Sequence, residues 1–207
     1  MRLRSTLAAS ATIALLLGAC AQSEREQAVP ASPPDEATQS SEAASSGEEG
    51  TTPFTFGSGT DQQAAAGAGP MIVVTDVRMG SHDGFDRLVF DIGGDGEAGW
   101  DVAYTDDPRT QGKGEKVEVD GDAVLAISIR NVAMPTDEEA VPAGVEPWDG
   151  PERLDGPEGG HIVEVVEDTV FEGRHLFHVG LDSEVPFTVQ RLEDPQRVVI
   201  DFLLEEA

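Results

Sequence analysis

The sequence of 207 residues has almost no cysteine and little positive charge. One cysteine, Cys20, is too few for a disulfide framework or a cysteine-built zinc site. Thirteen Lys and Arg stand against 40 Asp and Glu, a formal net charge of −27, so the cationic footprint that nucleic acid or an anionic lipid surface requires is missing. Aromatic residues make up only 5% of the chain, which leaves few candidates for stacking on a sugar. The sequence contains no Gly-x-Ser-x-Gly elbow, His-Glu-x-x-His pair or Walker-type loop. These absences argue against a hydrolase, and we expect no catalytic residues and no cofactor.

What is present begins with an export pattern. Arg2 and Arg4 precede an apolar stretch from Leu7 to Leu17, followed by Gly18, Ala19 and Cys20. As a helix, that stretch spans about 16 Å against roughly 30 Å of bilayer hydrocarbon, which makes it a signal-peptide core and not a span. Leu17-Gly18-Ala19-Cys20 resembles a bacterial lipobox, in which cleavage exposes the cysteine and its sulfur receives a diacylglyceryl group. Residues 1–19 are thus expected to be a lipoprotein signal and Cys20 the lipidation site. The protein is then held on the extracytoplasmic face of the plasma membrane, touching it through the lipid anchor alone.

Residues 20–69 are mostly Ala, Ser, Gly, Glu, Gln, Thr and Pro without apolar periodicity, so they read as a disordered linker. A flexible segment of that length has a mean span of about 40 Å. Its one aromatic cluster, Pro53-Phe54-Thr55-Phe56-Gly57, reads either as a short docking motif or as an unstructured stretch.

From residue 70 to 207 the pattern is all-β. Short β-branched and aromatic runs alternate with Gly, Asp and Pro about every ten residues. Strands are expected near 71–79, 86–92, 98–105, 115–119, 123–130, 161–167, 173–181, 185–192 and 196–203, with one long loop over 135–160. About nine strands in one domain imply a β-sandwich of two mostly antiparallel sheets. Alternation places Leu88, Phe90 and Ile92 on one face and Arg87, Val89 and Asp91 on the other. Val198, Ile200 and Phe202 repeat the inward row, with Arg197 and Asp201 outward. The two strands share one motif, Arg-apolar-Val-apolar-Asp-apolar, which suggests internal pseudo-symmetry. Arg87 and Asp91, or Arg197 and Asp201, lie about 13 Å apart along one strand, too far for a direct bridge. Their partners should lie on adjacent strands, as a structural charge ladder.

Gly84-Phe85-Asp86-Arg87-Leu88-Val89-Phe90-Asp91, Gly99-Trp100-Asp101-Val102-Ala103-Tyr104, Val124-Leu125-Ala126-Ile127, Pro186-Phe187-Thr188-Val189 and Pro195-Gln196-Arg197-Val198-Val199-Ile200-Asp201 together resemble the AMIN-like domain of actinobacterial lipoproteins. The resemblance covers about residues 71–203 and extends to the order of signal, linker and domain. It implies a β-sandwich related to the AMIN domain found beside cell-wall amidases and secretin-type envelope proteins. There it is a non-catalytic module that binds peptidoglycan or another envelope component. No amidase region is expected within these 207 residues, a departure from those relatives. The implied partner is cell-wall glycan or peptidoglycan, and the alternative is an adaptor docking an envelope enzyme or secretion component.

Candidate ligand contacts are few. Trp148, in the Pro- and Gly-rich loop, reads equally as a binding anchor or as a plug for the end of the sandwich. Trp100 and Tyr104 share one strand face and read first as core. His175 and His178 lie three apart on a strand and face opposite ways, so they do not grip one ion, and no metal site is expected. The acidic runs around Asp91–Asp101 and Asp120-Gly121-Asp122 do not complete a calcium loop, and the latter is more simply a hairpin turn. The acidity reads as a solvated surface, which disfavours polyanionic partners.

Overall fold

The computed structural model describes residues 61–204; the export signal, Cys20 and Pro53–Gly57 lie outside the described residues. Ten strands follow in order: β1 (Asp61–Ala64), β2 (Val73–His82), β3 (Phe85–Gly93), β4 (Gly99–Tyr104), β5 (Ala123–Arg130), β6 (Arg153–Asp155), β7 (Ile162–Phe171), β8 (Arg174–Leu181), β9 (Phe187–Leu192) and β10 (Arg197–Leu203). They form two antiparallel sheets, one of six strands in the order β1-β4-β5-β8-β7-β6 and one of four in the order β2-β3-β10-β9. No helix occurs among the described residues, and the all-β sandwich expected from alternation is what the chain forms.

Two facing rows of apolar side chains make the core. Leu88, Phe90, Ile92, Val198, Ile200 and Phe202 from the smaller sheet meet Val102, Leu125, Ile127, Ile129, Phe177 and Val179 from the larger. Phe90 and Phe177 touch across the layer with ring centroids 4.8 Å apart. Tight turns set the register. Glu172 and Gly173, at φ 48° and 76°, join β7 to β8 with two left-handed residues, the backbone that matches the twist of the flanking strands.

Three elements differ from the sequence expectation. Residues 115–119 alternate like a strand, but they form only an isolated bridge, Arg109 with Lys116. They belong to an excursion over 105–122 that lies on the outer side of the larger sheet. Gly180 makes this possible, because a Cβ there would fall 1.8 Å from the Asp120 carbonyl oxygen. For the same reason Asp120-Gly121-Asp122 is not a hairpin turn between two strands; Gly121, at φ 130°, lies against the Leu181 backbone. Two short strands are additional: β6 inside the expected long loop, and β1 inside the stretch read as linker. β1 pairs with β4 from Asp61↔Ala103 to Ala64↔Trp100.

Candidate functional site

β3 and β10, the two strands that carry the repeated motif, are antiparallel neighbours at the centre of the smaller sheet. Their register sets Arg87 opposite Asp201 and Arg197 opposite Asp91. The repeat is therefore a local two-fold relating the β2–β3 hairpin to the β9–β10 hairpin. Arg87 Nε donates to Asp201 Oδ1 at 2.6 Å and Nη2 to Oδ2 at 2.8 Å, a bidentate pair with side chains 3% and 0% exposed. One strand further out, Arg78 Nε and Nη2 each donate to an Asp91 carboxylate oxygen at 2.9 Å. The charges thus run across the strands as a ladder, in the geometry that favours paired guanidinium and carboxylate.

This ladder shares the outer face of the sheet with an aromatic group. Phe85 stacks on His82 at 4.7 Å, and the Arg87 guanidinium lies 5.0 Å from the Phe85 ring centroid. Arg78, Met79, Gly80, His82, Arg87 and Val89 line a cavity of about 170 Å³ here. A second concavity lies at one end of the sandwich, about 550 Å³, where Met71, Gly94 and Asp95 face the loop from Glu138 to Val145. Its walls combine the carboxylates of Asp95, Glu138 and Glu139 with Val141 and Pro142. An adjoining hollow of about 430 Å³ shares Gly94 and Asp95 and reaches Glu193 and Gln196.

The aromatic candidates lie elsewhere. Trp100 is in the core, and Tyr104 packs against it. The Tyr104 hydroxyl donates to the Val185 carbonyl at 2.8 Å and accepts from the Val185 amide at 2.9 Å. Burial pushes the phenol pKa up. Trp148 packs on the core with part of its surface open, 6.0 Å from the Phe177 ring, while its amide donates to the Val74 carbonyl and caps the β2 edge. The 131–152 loop is thereby pinned along that edge. The other end of the long loop is fixed by Asp86, near the start of β3. Asp86 is fully buried and its Oδ2 accepts from the amides of His161 at 2.5 Å and Ile162 at 3.1 Å. Gly160 permits that approach, since a Cβ there would meet the carboxylate at 2.4 Å.

The histidines are dispersed. His175 points inward, bonded through Nε2 to Glu167 at 2.8 Å and packed on Phe177 at 4.3 Å. His178 points the other way, opposite Ala126 and Val166. His82 lies on Phe85, and His161 pairs with Asp182. Among the described residues, no group of three or more His, Cys, Asp or Glu side chains is placed to hold a metal ion.

His178 is buried, its Nδ1 has no hydrogen-bond partner among the described residues, and desolvation pushes its pKa down from the ordinary 6.5. The folded state therefore resists protonation more than the unfolded chain does. The stability linked to the neutral ring is complete above about pH 6.5 and is lost as pH falls through the lowered folded value. We expect the urea midpoint of the wild type to fall more between pH 7.5 and 5 than that of His178→Leu. Equal falls would remove His178 from the acid sensitivity.

A family model described as the AMIN-like domain matches residues 72–203. No curated protein and no solved structure gives a significant match.

Proposed function

The chain belongs to the AMIN-like domain family through residues 72–203, and from that membership we propose that it is a non-catalytic, lipid-anchored binding module of the cell envelope, with peptidoglycan as its ligand. The family match carries the reading. The sequence adds the address: the lipobox-like run ending at Cys20 would place the domain outside the plasma membrane on a long leash. The net charge of −27 supports a ligand with neutral or cationic groups, such as amides, hydroxyls and amines, over polyanionic wall polymers. The end concavity offers carboxylates beside apolar walls, a composition suited to such groups.

Retention of the labelled protein on purified sacculi tests this. We expect binding to protein-free wall, with no release of soluble muropeptides. Binding only to wall that keeps its proteins would replace the module by an adaptor for an envelope protein, and muropeptide release would replace it by a hydrolase.

A further inference from the structure

We propose that the pocket beneath Trp148 binds the acetamido group of an N-acetylated sugar, at a site separate from the concavity beside Asp95.

Strand alternation singles this pocket out. Glu167 on β7 pairs with Phe177 on β8, and cross-strand partners share a face, so this carboxylate points to the core side as Phe177 does. His175, two residues before Phe177, points the same way and is 4% exposed. Packing alone calls for apolar side chains at both positions. Instead a carboxylate and an imidazole meet there at 2.8 Å, at the end of an otherwise apolar row. Neighbouring strands that break their own pattern at one place do so characteristically at functional sites. A bulge coincides with the break: the register shifts between Glu167 and Val170, so that Asp168 and Thr169 together oppose Leu176.

The polar pair opens into a cavity of about 50 Å³, walled by Val74, Val132, Pro147 and the Trp148 ring, with the exposed Thr169 also lining it. Such a volume holds roughly four non-hydrogen atoms, the size of an acetamido group. The ring is held in place. A Cβ on Gly150 would fall 2.3 Å from Trp148 Nε1, so the loop backbone leans on the indole, while the Trp148 amide is bonded to the Val74 carbonyl. The walls therefore stand before a ligand arrives.

The polar groups select the occupant. Glu167 Oε1 is taken by His175, which leaves Oε2 to accept from an amide N–H. The Thr169 hydroxyl can donate to the amide carbonyl, and the methyl group meets Val132, Pro147 and the indole. A carboxylate ligand would be repelled by Glu167. An ammonium group would lose its water to walls that are mostly apolar. Naming a sugar as the carrier rests on the wall reading, because the amino sugars of peptidoglycan are acetylated; the preference for a neutral acylamide does not.

Titration of the full chain, in a detergent without sugar headgroups, tests the proposal by NMR. The probes are chitotetraose and cellotetraose, the second carrying hydroxyls in place of the acetamido groups. We expect chitotetraose to shift the Trp148 indole signal and the amides of Glu167 and His175 saturably, with cellotetraose binding roughly tenfold more weakly. Equal binding of the two, shifts confined to residues around Asp95, or no shift overturns the proposal. Thr169→Phe crowds the pocket from an exposed position and should remove the chitotetraose shifts with Tm unchanged. Undiminished binding by that variant also overturns it. Retention on sacculi is read separately: retention without these shifts removes the pocket and leaves the wall reading standing, and shifts without retention do the reverse.

Discussion

Replacing Arg87 by alanine should lower the unfolding free energy by about 3–5 kcal/mol, and Asp201→Ala should cost a similar amount. The reason is the asymmetry of a buried ion pair. Both side chains are withdrawn from water, and their two hydrogen bonds at 2.6 and 2.8 Å offset much of that desolvation. Removing one partner leaves the other charge buried without its main compensation. Arg87→Lys should also be costly, since a single ammonium cannot reproduce the planar two-point contact with the carboxylate. The double change Arg87→Met with Asp201→Leu removes both charges and should recover part of the loss. Full recovery is not expected, because each residue has a further interaction besides this pair. Urea denaturation at constant slope measures these differences directly. A loss below about 1 kcal/mol for either alanine variant would mean that the pair is solvated and behaves as an ordinary surface bridge.

That pair also shows how far local pattern reaches. The repeat Arg-apolar-Val-apolar-Asp-apolar fixes which side chains share a face, because the strand period is two and any slip reverses every residue. It points to charge partners on neighbouring strands because the spacing within one strand is too long. It does not identify β3 and β10 as those neighbours, since they are separated by 114 positions at Arg87 and Asp201 and join only when the chain folds back. Nor does alternation reveal that the outward face is buried. The outward residues Arg87, Val89 and Asp91 would be solvated on a sheet open to water, yet the first two are almost fully enclosed.

The misread segments share a physical cause. Lys116-Val117-Glu118-Val119 has strand periodicity, but its polar groups are satisfied otherwise. Val117 N donates to the Pro108 carbonyl, and the Glu118 carbonyl accepts from Arg153 at 2.6 Å. Side chains from distant elements complete that backbone, which no local pattern records. β1 has the opposite character: Asp-Gln-Gln-Ala has little intrinsic strand preference and becomes one because β4 offers a ladder and Gln62 reaches β9. In the long loop, Pro and Gly content correctly signals irregular backbone. The fixing points, Asp86 under Gly160 and Trp148 at the β2 edge, depend on tertiary contact.

The Trp148 contact leads to the second large effect. Phe177 is fully buried where Phe90, His175 and Trp148 converge on its ring. Phe177→Ala should therefore cost about 3–5 kcal/mol, from lost transfer energy and an incompletely collapsed cavity. Trp148→Ala should cost less, because part of that ring already meets solvent and its backbone bond to Val74 survives the substitution. Since the two rings pack together, the double variant should lose less than the sum of the single losses. The same cycle decides what the loop tryptophan does. If Trp148→Ala leaves the denaturation midpoint unchanged while weakening retention on sacculi, the exposed part of the ring is a ligand contact. If it lowers stability and leaves retention intact, the ring is a plug, and wall recognition must come from the concavity beside Asp95 or from the loops around it. Additivity between the Phe177 and Trp148 losses would show that the rings are energetically independent and that the 131–152 loop is held by its backbone contacts alone.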